Sequence, residues 1–274
     1  MRNYTFNSGK QVLTPDQVRM VAPSVYANRP YHKVSDKYGF IPTHVVLGAL
    51  QREGWQVMQA MENRVRLADK RGFTKHRLVL QHRDAKPIGG LGDTAPRICL
   101  TNGHDRSSAY VLEAGFFRQV CSNGLIVSTG DVGRISVKHV GTELPGRVIE
   151  GSYQIIKEMG HIAQQAEHMR EIDLSDEEQV AFSQSAAMVR WEPEAMPIDA
   201  SQLLLVRRYD DRGRDLWTTY NRVQENLIRG GLRGVNSAGR RQRTRGVNSI
   251  NEDTRVNRAL WQLAQSMAAL KSAK

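Results

Sequence analysis

Six arginines stand between Asn226 and Asn251: Arg229, Arg233, Arg240, Arg241, Arg243 and Arg245, with no lysine and no carboxylate among them. A guanidinium is a planar fork of donors that matches phosphate oxygens. The intervening Gly, Asn and Ser residues let a polyanion approach the backbone closely. The string RGVNS occurs twice, at Arg233–Ser237 and Arg245–Ser249, which is too short for a structural repeat. The chemistry this pattern suggests is phosphate binding along a nucleic-acid strand, with each neutralised phosphate steepening the salt dependence. The competing account is a solvated loop whose charge aids solubility or meets acidic patches of a neighbouring subunit. The lack of any compensating acid favours phosphate.

A second basic group comprises Arg64, Arg66, Lys75 and Arg77, with His76, Arg83 and Phe73 among them. A basic sheet face carrying aromatics suits single-stranded nucleic acid, because stacking needs no sequence code. An ordinary polar sheet face accounts for the same residues equally well.

Other reactive residue types do not assemble into a catalytic set. His76 and His82 on one strand lie about 20 Å apart, and His161 and His168 on one helix about 10 Å apart. Neither pair can share a metal directly. Cys121, beside Ser122 and Asn123 and with His104 and His139 elsewhere, lacks the surroundings of a nucleophile elbow. A buried thiol at a strand end is the simpler reading. GGLGD at Gly89–Asp93 is no phosphate loop, since GxxxxGK[ST] is missing. Asp210, Asp211 and Asp215 alternate with Arg207, Arg208, Arg212 and Arg214, the pattern of a salt-bridged turn. No catalytic residue, metal or cofactor is expected.

Apolar residues make up 40% of the 274, enough for a real core. The net charge is +11, of which the arginine window carries six and the rest of the chain five. An excess of this size favours a polyanionic partner. Cys99 and Cys121 are the only cysteines and neither belongs to a CxxC pair, which reads as reduced thiols and a cytoplasmic protein. The start, MRNYTFNSGKQ, has no apolar leader, and no apolar run is long enough to cross a bilayer. No membrane partner is expected.

Positioning these residues falls to an α+β chain. Residues 1–42 read as an N-terminal arm, with Thr14 capping a short helix that has Pro15 at its first position. Residues 43–144 read as a β-rich nucleic-acid-binding core. It opens with a helix at Thr43–Arg52 whose face is Val46, Leu47 and Leu50, ended by Gly54. A period of two from Trp55 to Leu67 reads as a strand, with a helix as the alternative, HRLVLQHR at His76–Arg83 is a better strand, and Asp84–Pro96 is a loop. An antiparallel meander follows, with strands at Arg97–Thr101, Ser107–Glu113, Phe116–Cys121 and Leu125–Ser128. Asn102-Gly103 and Asn123-Gly124 serve as hairpin turns.

Residues 145–274 read as helical, with an Arg-rich loop at 229–250. Val148, Ile155, Ile162 and Met169 repeat every seven residues, with Ser152, Met159 and Ala166 between them, so one long helix is expected. Ser175 and Glu178 form a capping box for a helix reaching about Trp191. Further helices are expected at Asp199–Tyr209 and Leu216–Arg229, the latter closed by Gly230-Gly231. Ser249 and Glu252 open a last helix with Val256, Leu260, Leu263, Met267 and Leu270 on one face.

FRQVCSNGLIV (Phe117–Val127), LWTTYNRVQENLIRGG (Leu216–Gly231) and NRALWQLA (Asn257–Ala264) resemble a phage- and plasmid-like family of unknown function carried by prophages and conjugative plasmids. The resemblance spans about Phe40 to Leu270. It implies a bacterial mobile element as the setting and carries no catalytic residues. The order of elements is also loosely similar to single-strand annealing proteins of the Red-beta and RecT kind, an analogy of fold alone. The expectation is a non-enzymatic single-stranded-DNA-binding protein, of annealing or recombination type, acting as a homo-oligomeric ring or filament. Two other classes compete: an inhibitor of a host defence protein, and a nuclease or thiol hydrolase.

Overall fold

A computed structural model describes residues 5–7, 11–34, 39–86, 94–118, 124–126, 134–137, 144–235 and 239–273. The fold is α+β, an antiparallel sheet in the N-terminal half and helices in the C-terminal half. The chain divides into two units, Met1–His161 and Ile162–Lys274.

In the first unit, β1 (Thr5–Asn7), β2 (Trp55–Glu62), β3 (His76–His82), β4 (Thr94–Asn102), β5 (Tyr110–Arg118) and β6 (Gly124–Ile126) pair in sequence order, all antiparallel. β7 (Arg134–Val137) pairs with the other end of β5. The register sets Ala60, Leu78, Leu100 and Leu112 directly across from one another on one face. The alternate face carries Val79, Cys99 and Glu113 in line, flanked by Arg77, Arg97 and Thr101. Both sets are buried, which is why Leu78, Val79 and Leu80 stand as consecutive apolar residues rather than alternating with polar ones.

Several expectations are corrected here. The chain expected as an arm is part of this unit: α1 (Pro15–Val21) has the Thr14 cap, and Leu13, Val18, Val21, Val25 and Tyr31 are buried. α2 (Thr43–Arg52) buries Val46, Leu47 and Leu50 as expected. β2 stops at Glu62, so Arg64 and Arg66 lie in a loop. β4 begins at Thr94, inside the expected loop. Gly115 does not end a strand. It pairs with Arg97 on one side and Ile126 on the other, and β5 runs through it. Asn102-Gly103 makes no two-residue turn. His104 is drawn inward, its N–H donating to Phe73 O and its carbonyl accepting from Tyr31 N, so the connection runs on to Ala109. Cys121, Asn123, His139 and residues 89–93 lie outside the described residues.

His104 belongs to a fully buried polar hub. His76 Nδ1 lies 2.9 Å from Thr74 O and must carry the proton there, which leaves Nε2 to accept from Thr43 Oγ1 at 2.8 Å. Thr43 Oγ1 in turn accepts from Asn102 Nδ2 at 2.9 Å and His104 Nε2 at 3.1 Å. One hydroxyl thereby ties the start of α2 to β3, β4 and the β4–β5 connection.

α3 (Leu144–Arg170) is one long helix, and the division between the units falls within it. All seven heptad positions are buried in the chain itself. In the second unit the Ser175 capping box starts α4 (Asp176–Met188). Only 3-10 turns form at Ala200–Leu204 and Tyr209–Asp211 where a helix was expected. The carbonyls of Leu203 and Leu205 are held by the Asn226 side chain and are lost to helical bonding. α5 (Leu216–Arg229) and α6 (Ile250–Ser272) match expectation in extent. The buried face of α6 is instead Ile250, Val256, Asn257, Leu260, Trp261, Ala264 and Ala268, with Leu270 exposed. Ser249 caps Glu252 N, but the Glu252 carboxylate pairs with Arg255, so the capping box is half made. Among the described residues no helix is long and apolar enough to cross a membrane.

Candidate nucleic-acid interface

The site is rooted in α5, a helix with thirteen consecutive buried residues from Leu216 to Ile228. Asp215 caps its start by accepting from Thr218 N at 2.8 Å. Seven of the thirteen are polar, and they are spent on neighbours. Arg222 donates to Gln179 and Thr219, Gln224 donates to Asn257, and Glu225 accepts from both Arg208 and Arg229. Burial lowers the pKa of Arg222, while nearby Asp211 and Asp215 act to raise it. Trp217 stacks on Tyr220 at 5.7 Å and meets Trp261 edge-on at 6.5 Å. A polar helix buried this thoroughly is held in one orientation, because any rotation strands its hydrogen bonds.

Gly230 ends α5 at φ +66°, a backbone state few side chains allow. From there the arginine segment forms a hairpin rather than a loop: β8 (Arg233–Val235) pairs with β9 (Arg241–Arg243). Its base is tied down on both strands. Gly231 N donates to Thr244 O, Thr244 N to Leu232 O, and Val247 N to Ile228 O. Arg190, itself part-buried, donates to Leu227 O and Arg245 O, and Arg207 donates to Gly230 O. Burial lowers the Arg190 pKa.

The register places Arg233 opposite Arg243 and Val235 opposite Arg241. Directly opposed residues share a face, so Arg233, Arg241 and Arg243 project from one side together with Val235. Gly234 and Gln242 occupy the other side. Gly234 lies against the backbone of Pro197: an added Cβ would overlap Pro197 O and come within 2.8 Å of Ile198 Cγ2, and Val235 N donates to Pro197 O at 2.9 Å. The second copy of the repeat does the same thing. A Cβ on Gly246 would come within 2.9 Å of Arg229 O, and Val247 N donates to Ile228 O at 2.7 Å. In both copies Arg points out, Gly permits a close backbone approach, and Val supplies the bond.

All six predicted arginines of this segment are exposed. Arg229 pairs with Glu225 at 2.9 Å. Arg233, Arg241, Arg243 and Arg245 have no ion pair among the described residues. Like charges set directly across a ladder oppose folding by about 0.2–1 kcal/mol, so the Arg233–Arg243 pair costs the hairpin stability. Beside it opens a cleft of about 840 Å³, walled by residues 196–199 and Gln202 on one side and both hairpin strands on the other.

The second predicted group is not brought into this unit. Arg64 and Arg66 are exposed in the first unit, and Lys75 is half-buried with its pKa lowered by burial and by Arg77. Arg77 is only 2% exposed and donates to Thr101 Oγ1, so it offers no guanidinium at the surface. The aromatics nearby are also engaged, with Tyr31 buried and bonded to Asp69. The expected salt-bridged turn is likewise redistributed. Arg207 holds Asn226 and Gly230, Arg208 pairs with Glu225, Arg214 with Asp176, and Arg212 lies over the Tyr209 ring. Among the described residues no group of His, Cys, Asp and Glu is placed to hold a metal.

Comparison with known proteins places the hairpin and its root inside a shared domain. The family described as "Domain of unknown function (DUF932)" matches residues 30–261. The chain belongs to this family. Two relatives from Escherichia coli (strain K12), UPF0380 protein YafZ and UPF0380 protein YfjQ, are each 38% identical over 255 residues, 93% of this chain and 91% of theirs. No solved structure matches. The DUF932 match includes α5, the hairpin, the cleft and α6 through Trp261. Sequence reasoning finds the arginines of this DUF932 chain, assigns Arg207 to a salt-bridged turn, and misses Arg190, Gln202 and residues 196–199. Pro197 carries no chemical signal of its own in the sequence, and the carbonyls that Arg190 holds are 37 and 55 residues away. The glycine of each RGVNS copy stands where two backbones touch, but the string itself does not say which backbone is met.

Proposed function

We propose that this protein binds single-stranded nucleic acid, DNA foremost, through the arginine face of the β8–β9 hairpin. The observation that carries the reading is the three exposed guanidiniums on one face, without a carboxylate partner among the described residues, on a hairpin rooted in a buried helix. Such a face neutralises phosphates without reading bases, so binding is strongly salt-dependent and nearly indifferent to sequence. The activity is binding rather than turnover, and annealing of complementary strands is the form that the order of meander and long helix supports. Assembly of copies along a strand, in the cytoplasm of a bacterium carrying a mobile element, completes the proposal. The α3 heptad stripe is buried in its own chain, so contacts between copies would use other surfaces.

The test is fluorescence anisotropy of a labelled single-stranded oligonucleotide across a salt series, comparing wild type with Arg233/Arg241/Arg243→Glu. Loss of three phosphate contacts on a single strand lowers the slope of log K against log salt by about 2. The absence of binding by the wild type at low salt refutes the proposal. A stoichiometric complex with an acidic host protein would replace it.

A further inference from the structure

We propose that the cleft between the hairpin and residues 196–202 seats one nucleobase of the bound strand, with the phosphates flanking that base held by Arg233, Arg241 and Arg243. This rests on the single-strand reading and goes beyond it. A phosphate-binding face needs only a surface, yet here Arg233, Arg241 and Arg243 are among the residues lining a cleft of about 840 Å³. That falls within the roughly 300–1,000 Å³ of small-ligand sites.

The two walls differ in chemistry. The hairpin carries Gln242 on the side where Gly234 meets Pro197, and Arg233, Arg241 and Arg243 are also among the lining residues. The facing wall combines Met196, Pro197 and Ile198, which can cover the face of a base, with the amide of Gln202, and Gln242 adds a second amide from the hairpin. An amide offers a donor and an acceptor side by side, the complement of a base edge. Asp199 stands on the same wall, its carboxylate fixed by Ser201 N at 2.8 Å and Ser201 Oγ at 2.6 Å. A fixed anion on this wall orients a nucleotide: the phosphates are repelled from the 196–202 side and drawn to the hairpin arginines, and the neutral base is left to enter. The walls are also held together. The Gly234–Pro197 approach and the bond from Val235 N to Pro197 O join them directly, so the seat exists before ligand arrives.

The experiment compares a thymidine oligonucleotide with a strand of the same length built of abasic sugar-phosphate, against wild type and Gln202→Ala/Gln242→Ala. Both glutamines lie outside the core, so the variant keeps the fold. The seat predicts that the abasic strand binds wild type roughly five- to a hundred-fold more weakly than the thymidine strand, and that the variant narrows the gap. Photocrosslinking from 4-thiothymidine should then label residues 196–202. Equal binding of the two strands, with crosslinks elsewhere, overturns the seat and leaves phosphate binding standing. No binding of either strand overturns both.

Discussion

Gly234→Ala isolates the joint on which both proposals depend. Gly234 is not among the positive-φ residues, so alanine meets no backbone penalty there and only packing is tested. Its Cβ would overlap Pro197 O and lie 2.8 Å from Ile198 Cγ2 and from Pro197 C. Ordinary contact begins at 3.4 Å, and the overlap with Pro197 O is deeper than the approach to Ile198 Cγ2, so the hairpin must withdraw by more than an ångström. That breaks the 2.9 Å bond from Val235 N to Pro197 O, on the same carbonyl. Overpacking of this kind costs about 1–3 kcal/mol and the bond about 1 kcal/mol more. The sum is a sizeable part of the roughly 5–15 kcal/mol that holds a domain folded. Thermal unfolding followed by circular dichroism should show a midpoint lower by roughly 10 °C, with weakened oligonucleotide binding at temperatures where the variant is folded. Gly72→Ala is the control. It has φ +81° but open space around it, so it reports backbone strain alone and leaves binding intact. A Gly234→Ala variant with the wild-type midpoint and wild-type binding would refute the seating of the hairpin on Pro197.

Two further predictions concern the first unit. Glu62 is mostly buried, and burial raises its pKa above 4.5 against the opposing hydrogen bonds from Ser24 and Thr74. The folded state therefore holds this proton more tightly than the unfolded chain, and stability falls as pH rises through the window between the unfolded and folded values. Glu62→Gln should flatten that slope in chemical denaturation while keeping neutral-pH stability, since Thr74 Oγ1 can donate to Asn63 O while accepting from the new amide; an unchanged slope would exclude Glu62 as its source. Thr43→Val removes the oxygen shared by His76, Asn102 and His104 and should cost about 3 kcal/mol or more, whereas Thr43→Ser should cost far less. A valine variant within about 1 kcal/mol of wild type would show that the hub is not a stabilising network.

Elements were legible wherever local chemistry and packing agree. The Thr14 and Ser175 caps, the Thr43–Arg52 helix and the whole Leu216–Arg229 helix follow from residues a few positions apart. The α3 heptads are buried at every position expected of them. Legibility failed where a distant group overrode the local signal. Gly115 reads as a break, yet two flanking strands carry β5 through it. Asn102-Gly103 reads as a tight turn, yet bonds to Phe73 and Tyr31 hold His104 in the core and lengthen the loop. Asp199–Tyr209 reads as a helix, yet Asn226 takes its carbonyls.

The arginine segment divides along the same line. Its charge, its lack of acids and its duplicated RGVNS string are properties of the sequence by itself, and so is the expectation of a phosphate-binding surface. Composition cannot say which of ten candidate cations share a face. That was decided by the pairing of Arg233 with Arg243 and by the burial of Arg77 in the sheet. The cleft was decided by the meeting of Gly234 with Pro197, 37 residues away in sequence. Charge adds along a chain and can be counted there, whereas a site needs groups to converge, and convergence is fixed by whichever distant backbones the core brings into contact.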